Sequence, residues 1–144
     1  FDLLFASFTF DNVGAPEHKI RIFTQLRELL SDEGRIVTIV STPELYRHEW
    51  TSFATADFPE NERASDGDLV RTIIRDIPDA RPVVDMLCGP STYDRIHEAA
   101  GLETVECLLP VGDPTEPYAW VSEARIAPWA IRVLARAGTV PRGN

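Results

Sequence analysis

The sequence is short of several things, and each shortage excludes a class. There is one lysine, Lys19, and the 14 basic residues are outnumbered by 23 acidic ones, for a formal net charge of -9. Nucleic-acid binding needs clustered Lys and Arg on phosphates, so no such partner is expected. Only two cysteines occur, Cys88 and Cys107. Their spacing makes neither a disulfide framework nor a metal site, and isolated buried thiols in a reducing, cytoplasmic setting are expected. No run approaches the roughly 18 apolar residues of a membrane span. Phosphate-cradling glycine loops, Ser-His-Asp signatures and zinc spacings are all missing, and no G-x-G occurs. No repeats or low-complexity segments interrupt the chain. What remains is 144 residues at 44% hydrophobic, enough for one sizeable core.

The order of local signals gives the class. Leu3 to Phe10 is a continuous apolar, aromatic-rich run, as in a strand buried on both faces, and it ends in the turn cluster Asp11 to Pro16. Such a run at residue 1 leads us to expect a segment before Phe1. Pro16-Glu17 opens a helical pattern with Ile20, Phe23, Leu26 and Leu30 on one side. Ser31-Asp32-Glu33-Gly34 stops it, with Gly34 free to take positive φ. Arg35 to Ser41 is β-branched almost throughout and reads as a strand. Strand, helix, tight turn and strand make a right-handed βαβ unit, hence α/β with a mainly parallel sheet.

Residues 42–82 break this rhythm. Tyr46, His48, Trp50, Phe53 and Phe58 crowd a polar stretch that reads as a lid or substrate-binding insertion. Within it, Leu69, Val70, Ile73 and Ile74 predict a short helix after Asp66-Gly67-Asp68, which fits capping better than calcium ligation. Arg81 to Cys88 can form a further strand. Ser91 is placed to cap a helix carrying Tyr93 and Ile96 and closed by Gly101. Leu102 to Leu109 and Trp129 to Arg136 read as strands, with Arg132 and Arg136 solvated. Residues 138–144 read as a disordered tail.

Four segments in this order resemble a known family. Phe1-Asp2-Leu3-Leu4-Phe5-Ala6-Ser7-Phe8 is similar to the fourth strand of class I S-adenosylmethionine-dependent methyltransferases of the small-molecule type. Leu29 to Ile36 resembles the turn entering their fifth strand. Ala99-Ala100-Gly101-Leu102 resembles the segment before the sixth, and Trp129 to Arg136 resembles the seventh. The resemblance implies a partial Rossmann-like fold over residues 1–137, the C-terminal half of such a domain. Its last strand would run antiparallel between the fifth and sixth. A different α/β binding domain would instead carry a parallel last strand. The family's glycine-rich loop and the acidic residue that binds the ribose hydroxyls are absent from this sequence. The fourth strand, without the first beside it, would offer an open apolar edge. A homodimer, or the missing N-terminal half, is expected to pair there.

Ligands bind beyond the carboxyl ends of strands in open α/β sheets. The resemblance therefore implies that Ala6, Ser7 and Phe8 flank S-adenosylmethionine, and that Asp11 and Asn12 lie near the methyl acceptor. Asp11 and His48 are the candidate general bases, needed only for an acceptor protonated at working pH. His18 and His97 read as solvated. Tyr46, Trp50, Phe53 and Trp120 are candidates for an aromatic wall around a flat acceptor. The alternative for the lid aromatics is that they fill a small core of their own. The expected activity is methyl transfer to an O or N atom of a small aromatic or heterocyclic acceptor. The competing expectation is a non-catalytic remnant that serves dimerisation or regulation.

Overall fold

The computed structural model describes residues 1–139. Most of the tail read at 138–144 therefore lies outside the described residues. Four strands form the main sheet in the order β1 (Leu3–Ser7), β2 (Arg35–Ser41), β7 (Trp129–Arg136), β6 (Leu102–Leu108). β1 and β2 are parallel, joined by helix α1 (Pro16–Leu29). β7 lies antiparallel to both neighbours. This is the order and direction expected for the fourth, fifth, seventh and sixth strands of the methyltransferase fold. It excludes the parallel last strand of the competing α/β reading. Helix α2 (Pro90–Ala99) leads into β6. No helix is long and apolar enough to cross a membrane.

Both helices pack on one face of this sheet. Phe23 and Leu30 from α1 and its C-cap meet Tyr93, Ile96 and Ala100 from α2, over Ile36, Val40, Ala130 and Leu134. Phe10, just past β1, belongs to this core and stacks on Phe23 at 4.2 Å. Strand alternation sends Leu3 and Phe5 to the other face, beside Val37, Ile39, Ile131 and Val133. Leu3 and Phe5 stay about 60% exposed (60% and 63%), and among the described residues no helix covers that face. The continuous apolar run at the start of the chain is thus a one-sided edge strand here. It is also shorter than expected, ending at Ser7.

The lid has its own small sheet. β3 (Phe53–Ala54), β4 (Leu69–Ile74) and β5 (Val83–Met86) pair antiparallel, with 3-10 turns at Pro43–Tyr46 and Pro59–Arg63. The helix expected at Leu69–Ile74 is a strand, because Val83–Met86 supplies a partner ladder that the local pattern does not announce. Leu45, Tyr46, Trp50, Val70 and Leu87 form the lid's core.

Several finer expectations are corrected. Gly34 does not take positive φ; it is needed because a Cβ there would sit 2.8 Å from Leu30 and from the Phe1 carbonyl. Ser91 is exposed and does not cap α2, whose N-cap is Gly89. Asp66 does the capping from the lid, accepting from Gly89 N at 2.8 Å and from the Thr92 hydroxyl. His97 is buried rather than solvated, edge-on to Phe23 at 4.8 Å. Arg132 is buried as well, because β7 alternation puts it on the helix face with Ala130 and Leu134. The thiols are not buried as expected: Cys107 is exposed on β6 and Cys88 is half-buried.

Candidate functional site

The carboxyl ends of β1 and β2 open under the lid into a cavity of about 220 Å³. Phe8, Asp11 and Asn12 reach it from the loop after β1, Ser41 from the end of β2, Trp129 from the start of β7, and Phe53 and Asp85 from the lid. The loop is pinned to the lid through Met86 N–H, which donates to the Asp11 carbonyl at 3.0 Å. Phe8 holds the left-handed backbone conformation, φ 54°, the only non-glycine to do so among the described residues. A bulky residue there costs of order 1–3 kcal/mol, and such strain collects where a chain must present itself to a ligand. Phe8 meets Trp129 edge-on at 5.8 Å, and the two rings form one wall of the opening.

The polar floor is built from two buried carboxylates. Asp11 is 5% exposed and takes the Ser41 hydroxyl at 2.7 Å and the Ser41 N–H at 3.1 Å. Burial pushes its pKa up to about 6, against the pull of the Ser41 hydrogen bonds, and the neighbouring Asp85 charge adds to the rise. Asp85 accepts from the Tyr46 hydroxyl at 2.9 Å, and burial raises its pKa too. Tyr46 is driven far above the usual phenol range by burial and by the charge of Asp11, so it is a hydrogen-bond donor and not an ionising group. Lys19 is the only nearby buried ammonium. It is 2% exposed, lies 5.0 Å from the Tyr93 ring centroid, and its charge favours ionisation of both aspartates. The site thus holds a carboxylate that exchanges its proton near neutrality beside an aromatic wall.

The candidate residues separate cleanly. Asp11, Asn12, Phe8 and Phe53 line the cavity; Tyr46 acts on it through Asp85. Ala6 is half-buried against the main core and Ser7 is exposed at the end of β1. Trp50 does not line the cavity. It is fully buried in the lid core with its indole N–H on the Leu45 carbonyl at 2.8 Å, the structural alternative named for it above. His48 lies on the outer side of the lid turn, 2.9 Å from Glu44, and is half-exposed. Trp120 packs over Gly112 and tilts against Tyr118 at 4.9 Å in the β6–β7 loop, away from the cavity. Ser41, Asp85 and Lys19 are given no place in the site by the sequence reading. Ser41, the last residue of a β-branched strand, carries a readable signal; Asp85 and Lys19 do not.

A cofactor pocket is only partly present. Ala6, Ser7 and Phe8 stand at the strand end expected to border S-adenosylmethionine. β1 has β2 as its sole strand partner among the described residues, and no glycine-rich loop lies beside it. The residues present therefore do not make a complete site for that cofactor. Among the described residues no cluster of three His, Cys, Asp or Glu is arranged to hold a metal ion.

Known structures share this architecture. The CcbJ methyltransferase from Streptomyces caelestis superimposes with a TM-score of 0.56 at 20% identity, over 96% of this chain and 58% of its own. An S-adenosylmethionine-dependent methyltransferase from Clostridium acetobutylicum gives 0.58 at 7% identity, over 96% and 59%. The mitomycin 7-O-methyltransferase MmcR gives 0.53 at 13% identity, over 94% and 30%. At these identities the likeness establishes the fold, that of the class I S-adenosylmethionine-dependent methyltransferases. The chain spans less than two thirds of the length of the structures it matches. No family profile and no curated protein matches the sequence.

Proposed function

We propose that this chain supplies the acceptor half of an S-adenosylmethionine-dependent methyltransferase acting on an O or N atom of a small, flat acceptor. The observation that carries the reading is the cavity at the carboxyl ends of β1 and β2, in a sheet whose antiparallel β7 sits between β2 and β6. Bound by the remainder of such a fold, S-adenosylmethionine would supply an electrophilic methyl on a sulfonium. This chain's part is to hold and align the acceptor, exclude water, and take a proton. Phe8, Phe53 and Trp129 sandwich a planar body. Asp11 accepts the acceptor's proton, and its raised pKa suits that task near pH 6–7. Ser41 fixes the carboxylate through two donors. Three apolar lid residues, Leu45, Ile74 and Val83, close the far side of the cavity.

The free edge of β1 and the apolar face carrying Leu3 and Phe5 support the second part of the reading: another polypeptide segment completes the sheet there. Methyl transfer to a panel of catechols, phenols and anilines, by this chain joined to a first-to-third-strand segment of the fold, tests the whole. Labelled methyl should appear on the acceptor, and Asp11→Asn should abolish it for acceptors that ionise above pH 7. If the completed protein binds S-adenosylhomocysteine but methylates no acceptor, the remnant reading prevails. Strong S-adenosylhomocysteine binding by this chain alone would contradict the incomplete cofactor pocket.

A further inference from the structure

A second cavity, of about 540 Å³, lies on the helix face of the sheet and shares only Ser41 with the first. It sits where β2, β6 and β7 meet the N-terminal end of α2 and the β6–β7 loop. Its walls are largely apolar, with Val40, Leu109, Val111 and Ile126 among them. Its charged lining is three arginines, Arg47, Arg125 and Arg132, against one glutamate, Glu44. That concentration is notable in a chain with a net charge of -9.

The arginines are incompletely used. Arg132 is 4% exposed; its Nη1 meets Asp94 at 2.5 Å and its Nη2 donates to the Pro90 carbonyl at 3.3 Å. Its Nε is buried with no partner among the described residues. Asp94 itself stands largely in water, so it neutralises the buried guanidinium only from outside. Tyr93 is 2% exposed, and its hydroxyl, like Arg132 Nε, is closed off from the cavity with no partner among the described residues. Arg47 shares Glu44 with His48 and donates Nη2 to the Ala64 carbonyl at 3.3 Å, while its Nε is buried with no partner among the described residues. Arg125 makes one long bond, to the Val121 carbonyl at 3.4 Å. Buried donors left unmade cost free energy, and a guanidinium recovers most when it meets an anion of matching planar shape. Arg125, exposed and held by that one long bond among the described residues, and the apolar walls together specify an anionic head on an apolar body.

We propose that this cavity is a binding site for a small organic carboxylate, held at its head by Arg125 with the buried charge of Arg132 behind it, and along its body by the apolar walls. The site is separate from the methyl-acceptor cavity and does not depend on methyl transfer. Titrating the 15N-labelled chain with benzoate, phenylacetate and the neutral isostere benzamide tests it, read from amide shifts at residues 125–132. The expected result is saturable shifts there with the carboxylates at millimolar concentration, and at least tenfold weaker binding of benzamide. One charge-assisted hydrogen bond accounts for about that factor. Arg125 is exposed, so Arg125→Gln should keep the fold and weaken benzoate about tenfold. The site is refuted if benzamide binds as well as benzoate, if Arg125→Gln leaves the affinity unchanged, or if none of the carboxylates saturates.

Discussion

Ser41 gives Asp11 two hydrogen bonds at once, its hydroxyl at 2.7 Å and its backbone N–H at 3.1 Å to the same carboxylate oxygen. The pair ties the turn after β1 to the end of β2 and fixes a buried carboxylate on the floor of the cavity there. The burial that makes Asp11 useful also makes its charge costly. Its folded pKa, about 6, is raised above the ordinary value of 3.8. Stability from this group is therefore fully present below about pH 4 and is lost as pH rises through about 6.

Asp11→Asn removes the titration and keeps the shape. Relative to the parent chain, the variant should gain of order 3 kcal/mol between about pH 3.5 and pH 8. The difference between the two proteins must be followed, because His97 works in the opposite sense. Burial and the Arg132 charge lower its pKa to about 4, so its contribution is lost as pH falls from about 6.5 through 4. Urea unfolding of both proteins at a series of pH values measures this; a constant difference would show that Asp11 does not titrate as a buried acid.

Asn61 holds the lid together. Its side-chain amide donates to the Tyr46 and Arg71 carbonyls at 3.0 and 2.8 Å and accepts from Arg71 N–H at 3.1 Å. Asn61→Leu strands three backbone groups, each costing about 1–3 kcal/mol when buried. Amide exchange should accelerate across β3–β5 while β2 and β7 keep their protection. Equal acceleration in both sheets would mean that the lid and the main sheet open as one unit.

The main sheet was legible because its signals are local. β2 has a β-branched run, α1 a one-sided apolar stripe, and Gly101 a positive φ of 73° closing α2. The lid was not. In β4 the inward side chains are Val70 and Thr72, while Leu69 and Arg71 point out. With a polar residue inside and an apolar one outside, the two-residue alternation vanishes and a helical spacing takes its place. Asp11 could be found from its position after a strand end. Asp85 and Lys19 acquire their roles only when the lid folds over α1, which no local pattern encodes. Arg132 and His97 were misplaced for a related reason: polar residues on a core face are recognised only once their partners are known.

Gly101 offers a sharp test of the main sheet. A Cβ there would require positive φ from an L residue and would collide with the Arg27 guanidinium. Gly101→Ala should lower stability by about 1–2 kcal/mol, measured by denaturant midpoint at unchanged slope. An unchanged midpoint would mean that the turn into β6 tolerates another backbone path.

The open side of the sheet predicts self-association. Leu3 and Phe5 present an apolar row beside an unpaired strand edge. Phe5→Lys puts a charge on the exposed side of β1 and leaves the buried face untouched. Sedimentation should show the parent chain associating with rising concentration and the variant staying monomeric. If both remain monomeric, the β1 edge does not recruit a second copy, and completion by a different segment is the remaining account of it.

Two tyrosines contrast a hydroxyl that is needed with one that is not. Tyr46 donates to Asp85 at 2.9 Å and lowers a pKa that burial has raised. Tyr46→Phe leaves that carboxylate buried without the donor, so the Asp85 pKa should climb further. A raised folded pKa means stability that is lost as pH rises, so the variant's deficit should be small in acid and grow to about 1–3 kcal/mol at pH 8. Tyr93 has no partner for its hydroxyl among the described residues. Tyr93→Phe removes an unmet polar group from the core and should be neutral or stabilising at every pH. A loss of stability in that variant would instead reveal a partner for the hydroxyl within the fold.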